Sequence, residues 1–126
     1  MSDAKQKILL VEDDQLVRES IARLLRQDAH TVVEANNGAE AFALFLSGQF
    51  DLVMTDFEIP FVKGNELAVR IKRLVPRQPI LMITGYAKRP GLCNPVDAVL
   101  NKPFNLNQMR SALARLFPRV GASFPA

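Results

Sequence analysis

The chain has 126 residues, 48% hydrophobic and 23% charged, which is typical of a folded globular protein and excludes wholesale disorder. The net charge of +3 comes from dispersed basic residues with no basic block and no interleaved stacking aromatics, so we expect no direct nucleic-acid binding. No apolar run approaches the ~20 residues of a membrane span and residues 1–7 are polar, so we expect one cytoplasmic domain over 1–126 that does not bind membranes.

Two hydrophobic periods alternate along the chain. Short apolar runs, typical of strands buried on both faces of a parallel sheet, precede segments with helical spacing. The predicted strands are Ile8–Val11, Thr31–Val33, Leu52–Thr55, Ile80–Thr84 and Ala98–Leu100. The predicted helices are Gln15–Gln27, one capped by Asn37 and stopped by Gly48, one ended by Pro76, and one capped by Asn105 and closed by Pro118. This alternation predicts an α/β fold, a doubly wound parallel sheet with helices on both faces.

The segment between the fourth and fifth strands is short. Residues 85–97 are near the minimum of about a dozen for a parallel crossover, and Pro90, Gly91 and Pro95 interrupt them. We therefore expect the fourth helix of the fold to be shortened or missing. Residues 118–126, after the last helix, either fold back or form a loose tail.

Polar side chains follow four of the five predicted strands. They are Glu12, Asp13 and Asp14 after the first strand, Asp56 and Glu58 after the third, Thr84 and Gly85 at the fourth, and Lys102 and Pro103 after the fifth. In such sheets ligands bind at the carboxyl ends of the strands. One acid alone is commonly a helix cap, and for Asp14 a cap and a ligand are equally good interpretations. The whole set predicts a site.

The chemistry of this set favours a cation and a phosphate. Two carboxylates about 4 Å apart repel by roughly 4 kcal/mol at an effective dielectric near 20, so gathering Glu12, Asp13 and Asp56 requires a compensating cation. Cys93 is the single cysteine and His30 the single histidine, so oxygen ligands remain, which suit Mg²⁺. With Lys102 and the Thr84 hydroxyl beside a phosphoryl group, a carboxylate can attack phosphorus and become an acyl phosphate.

Four segments of the chain resemble the receiver domains of two-component response regulators. The matching stretches are Ile8–Asp14, Asp56–Pro60 with Gly64, Ile83–Gly85 and Asn101–Phe104. The resemblance implies a flavodoxin-like sheet in the order 2-1-3-4-5. It also implies a phosphoacceptor signalling domain rather than an enzyme proper, which takes a phosphoryl group from a histidine kinase or phosphotransfer protein. Such domains catalyse their own phosphorylation and dephosphorylation, and a downstream protein of unknown identity would read the result.

The resemblance also assigns roles to the acidic residues. Asp56 would be the phosphoacceptor and would join the Mg²⁺ site. Asp13 would bind Mg²⁺ directly, Glu12 through water, and Glu58 through its backbone carbonyl. Asp14 would be a neighbour or a cap.

The resemblance assigns the remaining residues to the phosphoryl group and the switch. Lys102 would contact the phosphoryl group, with a cis peptide before Pro103, and Thr84 would move toward it after transfer. Val99 stands at a position where the family usually has Tyr or Phe, and its side chain has no ring to reorient. Tyr86, beside the site, would either gate water or simply cover its loop.

Two alternatives stay open at this point. A phosphorylation-independent interaction module of the same fold is suggested by Val99 and the short crossover. A phosphohydrolase with an aspartate nucleophile would normally carry that nucleophile after its first strand, whereas Asp56 follows the third. We expect His30 to be a surface or packed residue and Cys93 a small filler.

Overall fold

Five parallel strands form the centre of the protein in a computed structural model, which describes residues 5–85 and 96–117. The strands are β1 (Lys7–Val11), β2 (Thr31–Ala35), β3 (Leu52–Asp56), β4 (Ile80–Thr84) and β5 (Ala98–Asn101). Their order is β2-β1-β3-β4-β5, which confirms the predicted flavodoxin-like sheet. The strand order reverses between β1 and β3, so the carboxyl ends of these two strands flank the crevice where such sheets bind ligands.

Four helices are present in the described residues. They are α1 (Gln15–Gln27), α2 (Gly38–Ser47), α3 (Gly64–Leu74) and α4 (Leu106–Leu116). Side-chain caps begin three of them: Asp14 accepts from the Val17 amide, Asn37 caps α2, and Asn105 forms a reciprocal capping box with Gln108. Asp14 is therefore a helix cap, one of the two roles considered for it.

Hydrophobic cores lie on both faces of the sheet. Ile8 and Leu10 of β1 face the core built with α1 and α4, whereas Leu9 and Val11 face the core built with α2 and α3. This division follows from the alternation of side chains along a strand. The central strands β3 and β4 are buried along their whole lengths, as their continuous apolar runs predict.

The strand β2 is longer than predicted. It extends past Val33 to Ala35, and the extension includes Glu34, a half-buried residue that makes ion pairs with Arg18 and Arg26. Because a charged residue interrupts the apolar pattern, the pattern alone predicted a strand that ends two residues too early.

Several predictions lie outside the described residues. These are the shortened fourth helix, Tyr86, Cys93 and the tail at 118–126. Within 5–85 and 96–117, none of the helices has the length and apolar character needed to cross a membrane.

Candidate functional site

Asp56 lies at the carboxyl end of the central strand β3 with its side chain almost completely buried. The next residue, Phe57, continues the sheet by donating its amide to the Ile83 carbonyl at 2.9 Å. The start of α3 packs directly against this strand end, because the Gly64 amide donates to the Phe57 carbonyl at 3.1 Å. A β-carbon at Gly64 would collide with the Asp56 carbonyl oxygen, so this close approach requires glycine.

Three carboxylates meet at this edge of the sheet. One oxygen from each of Glu12, Asp13 and Asp56 lies within 4.8 Å of the others, and we call these three residues the acidic cluster. Glu12 and Asp56 are buried and Asp13 is exposed. The predicted convergence of the first and third strand ends is therefore present.

Lys102 reaches into the acidic cluster from the end of β5. Its Nζ lies 2.8 Å from Asp56 Oδ2 and 3.2 Å from Glu12 Oε1. Its backbone amide donates to the Thr84 carbonyl at 2.8 Å, which holds the lysine beside the end of β4. The peptide bond between Lys102 and Pro103 is cis, as the resemblance implied.

The surroundings of Glu12 and Lys102 shift the pKa values of both side chains. Burial, and then the adjacent Asp56 carboxyl, raise the pKa of Glu12 to about 7. Burial alone would lower the pKa of Lys102, but the contacts with Asp56 and Glu12 outweigh it and raise that pKa above its usual value. One ammonium thus faces three carboxylates. An oxygen-only donor set with excess negative charge fits a hard divalent cation such as Mg²⁺.

Glu58 contributes its backbone to the site. Its amide donates to Asp56 Oδ1 at 3.2 Å, which holds that carboxylate oxygen in place. The Glu58 carboxylate is exposed and lies 3.7 Å from the Lys63 Nζ. Its side chain therefore lies outside the acidic cluster, and the role of its carbonyl as a metal ligand stays a prediction.

Pro60 and Gly85 lie in two different loops near the site. The Pro60 carbonyl accepts from the Gly38 amide at 3.3 Å, which links the loop after β3 to the start of α2. Gly85 is exposed, and a β-carbon there would meet Lys102 Cε at 3.9 Å, an ordinary contact. Sterically, this position does not demand glycine in the structure.

Thr84 and Val99 occupy different surroundings. Thr84 ends β4 and is buried at the same sheet edge as the acidic cluster. Val99 pairs with Met82 in the middle of the β4–β5 register and is 43% exposed. The structure brings Thr84 to the site but leaves Val99 on the surface of an edge strand, and the switching roles of both stay predictions.

His30 lies away from these carboxylates. Its Nδ1 accepts from the Gln6 amide at 3.0 Å, at the amino end of the sheet. His30 is half-buried, which agrees with the expectation of a surface or packed residue.

Arg18 is a site neighbour that the sequence analysis missed. Its Nη1 donates to the Glu12 carbonyl at 2.9 Å, and its Nε donates to Glu34 Oε1 at 3.1 Å. The sequence did contain one signal for this contact. Glu34 is a charged residue inside a partly buried strand, and such a residue needs a cationic partner.

Comparisons with known proteins agree with this geometry. The family model for the response regulator receiver domain matches residues 8–114. The chemotaxis protein CheY of Pseudomonas aeruginosa is 35% identical over 121 residues, covering 90% of this chain and 98% of that protein. The transcriptional regulatory protein TcrA of Mycobacterium tuberculosis is 33% identical over 117 residues, covering 90% of this chain and 46% of TcrA. The response regulator protein TrrA of Thermotoga maritima, solved in complex with Mg²⁺-BeF, has a TM-score of 0.83 at 30% identity, covering 90% of this chain and 99% of that one.

Proposed function

Because the chain belongs to the response regulator receiver domain family of two-component signalling, we propose that it accepts a phosphoryl group on Asp56. The donor would be the phosphohistidine of a cytoplasmic histidine kinase or phosphotransfer protein, and the output would pass through contacts with a downstream protein. The observation that carries this proposal is the Asp56 carboxylate, buried at the end of β3, 2.8 Å from Lys102 Nζ and within the acidic cluster.

The transfer is a substitution at phosphorus. An Asp56 carboxylate oxygen attacks, the new O–P bond forms, and the P–N bond of phosphohistidine breaks. The electron pair of that bond stays on the imidazole nitrogen, which then takes up a proton. Lys102, already at Asp56 Oδ2, offsets the negative charge on the phosphoryl oxygens.

Mg²⁺ would be held by the acidic cluster together with the Glu58 carbonyl. When bound, the ion neutralises the crowded carboxylates and the phosphoryl oxygens. The fit rests on the oxygen-only donor set and on the Lys102 ammonium, which among residues 5–85 and 96–117 is the one ammonium opposing three carboxylates. Asp13 is exposed, so its carboxylate is accessible from solvent and would suit a direct ligand of the ion.

The same residues would also return the domain to its resting state. A water oxygen attacks phosphorus, the O–P bond to Asp56 breaks, and inorganic phosphate leaves with the carboxylate restored. The domain would thus catalyse both its own phosphorylation from the donor and its own dephosphorylation. The Thr84 hydroxyl would donate a hydrogen bond to the phosphoryl group while it is present.

Intact-protein mass spectrometry tests this proposal. The protein is incubated with Mg²⁺ and acetyl phosphate, with Asp56→Asn alongside and Asp97→Asn as a control carboxylate far from the site. We expect one phosphoryl group on the wild type and on Asp97→Asn, and none on Asp56→Asn. Labelling of Asp56→Asn at the normal rate would contradict the assignment of the phosphoacceptor.

A phosphorylation-independent interaction module is the second candidate function. The supporting observation is the aliphatic side chain of Val99 on the exposed edge strand, where the family usually has an aromatic ring. Absence of an adduct, with Mg²⁺ binding and the fold intact, would favour this candidate. Beryllofluoride, a stable phosphoryl mimic, separates it from rapid hydrolysis: a phosphorylatable site binds the mimic even when its acyl phosphate is short-lived.

A further inference from the structure

Arg18 connects the acidic cluster to the second strand. Its Nη1 donates to the backbone carbonyl of Glu12 at 2.9 Å, and its Nε donates to Glu34 Oε1 at 3.1 Å. The Arg18 side chain is 16% exposed, so both contacts are largely shielded from water. The guanidinium presents its donors in a rigid planar fork, so fixing one nitrogen on Glu34 also fixes the direction of the nitrogen on Glu12.

Asp13 is the member of the acidic cluster with the weakest support of its own. Glu12 Oε2 accepts from the Asp14 amide at 3.1 Å, and Asp56 Oδ1 accepts from the Glu58 amide at 3.2 Å. Lys102 contacts both of these carboxylates. In residues 5–85 and 96–117, the Asp13 carboxylate makes no comparable hydrogen bond, so its position depends on the backbone that carries it.

The peptide bond between Glu12 and Asp13 is held at its carbonyl, and the peptide unit before it is held at its amide. The Glu12 amide donates to the Ala35 carbonyl at 3.0 Å, which extends the β1–β2 ladder by one residue. The Glu12 carbonyl accepts from Arg18, as described above. Because a peptide unit is planar, a fixed Glu12 carbonyl also fixes the amide and Cα of Asp13, and with them the origin of its side chain.

Glu34 is itself anchored. Its second oxygen lies 3.2 Å from Arg26 Nη1, and Arg26 Nη2 donates to the Val32 carbonyl at 3.1 Å. The two arginines therefore share one carboxylate but differ in their backbone contact. The backbone contact of the Arg18 side chain lies in the loop that carries Asp13, whereas that of the Arg26 side chain lies in β2.

We propose that Arg18, oriented by Glu34, is a positioning residue that sets the direction of the Asp13 carboxylate for Mg²⁺. This inference rests on the proposed function, because it assumes that Asp13 is a metal ligand. Under this proposal, metal affinity depends also on Arg18 of α1 and, through Glu34, on β2.

The test compares Arg18→Met with Arg26→Met. Methionine keeps an unbranched apolar stem and removes the charge and the donors. Mg²⁺ binding to the full chain is measured by isothermal titration calorimetry. We expect Arg18→Met to bind Mg²⁺ about tenfold more weakly, as is typical when a residue that orients a metal ligand is lost, and Arg26→Met to bind as the wild type does.

The sign of the change separates positioning from simple electrostatics. Loss of a positive charge beside three carboxylates would, by Coulomb attraction alone, strengthen Mg²⁺ binding. A weaker affinity in Arg18→Met therefore reports geometry. Phosphorylation by acetyl phosphate gives a second measurement: the half-saturating Mg²⁺ concentration should rise, while the rate at saturating Mg²⁺ should be retained.

The possible outcomes are distinct. If the wild type binds Mg²⁺ and Arg18→Met binds it equally or more tightly, the positioning role is overturned and the proposed function stands. No Mg²⁺ binding by the wild type rejects the metal site and the inference together. If Arg18→Met fails to fold, Arg18→Lys keeps the charge but loses the planar fork that contacts Glu12 and Glu34 together. Reduced Mg²⁺ affinity in Arg18→Lys then supports the proposal, and unchanged affinity overturns it.

Discussion

Two charged groups of residues lie at opposite ends of the same sheet. At the carboxyl end, the acidic cluster sets three carboxylates against the ammonium of Lys102. At the amino end, Asp97 Oδ2 lies 2.8 Å from Lys72 Nζ and accepts from the Ile80 amide at 2.8 Å. We call the residues Asp97, Lys72 and Ile80 the crossover anchor, since they join the starts of β4 and β5 to the end of α3.

The difference between the two groups is charge balance. The crossover anchor contains one carboxylate, one ammonium and one backbone donor, so its charges and hydrogen bonds are satisfied within the fold. Among the described residues, the acidic cluster has more negative charge than its lysine offsets, so a proton or a further cation must balance it. Balanced charge at one end supports the structure, and unbalanced charge at the other end suits the proposed binding and chemistry. The two ends should therefore respond to different perturbations.

The largest expected effect is the loss of the Mg²⁺ response in Asp13→Ala. A ligand that binds only the folded state stabilises it by about 2.7 kcal/mol at a hundred times its Kd. We expect the Tm of the wild type to rise with Mg²⁺ and that of Asp13→Ala to stay flat. Without metal, Asp13→Ala should be at least as stable as the wild type, because a like charge is gone.

The control for this measurement is Asp97→Asn, which alters the crossover anchor and should keep the full Mg²⁺ response. A flat wild-type Tm up to millimolar Mg²⁺ would count against an intact metal site. A normal response in Asp13→Ala would show that the acidic cluster binds the ion without this carboxylate.

The next effect is a pH dependence of the free energy of unfolding of the metal-free protein. The pKa of Glu12 is raised from 4.5 to about 7 in the folded state, so between these pH values the folded state holds a proton that the unfolded state has released. Stability contributed by this proton is present below pH 4.5 and is lost as pH rises to about 7. Since one pKa unit corresponds to about 1.4 kcal/mol, we expect a loss of roughly 2–3 kcal/mol across this window.

Chemical denaturation in a chelator at several pH values between 4.5 and 8 measures this loss. The comparison with Glu12→Gln isolates the contribution of Glu12 from that of other groups. The difference between the two proteins should grow with pH across this window. An identical pH profile in both proteins would refute the assignment of the effect to Glu12.

Local sequence signals predicted much of this architecture. The strands follow from apolar runs, and the caps at Asn37 and Asn105 depend only on the next few residues. The meeting of Asp56 with Lys102 was also predictable, because parallel strands bring their carboxyl ends to one edge. Each of these inferences needs only the period of a segment and the direction of its strand.

Contacts between distant side chains and backbone groups could not be predicted in this way. The hydrogen bond from Arg18 to the Glu12 carbonyl depends on how α1 rests against β1 and β2, which the pattern of α1 does not specify. The crossover anchor depends similarly on Asp97, which follows the short crossover and shows no apolar period of its own. The sequence indicates where charges end strands, but the packing decides which of them are paired.

The smallest expected effect concerns the crossover anchor. Asp97→Ala removes the acceptor of the Ile80 amide, which is fully buried, and an unsatisfied buried donor costs about 1–3 kcal/mol. The Asp97 side chain is 38% exposed, so water can replace part of the lost contact and we expect roughly 1–2 kcal/mol. Asp97→Asn keeps an oxygen for the Ile80 amide and should lose less. Denaturation midpoints measure both variants, and neither should change Mg²⁺ affinity or the phosphorylation of Asp56. A shift in Mg²⁺ affinity would mean that the two ends of the sheet are coupled, and that charge balance at the crossover anchor also adjusts the acidic cluster.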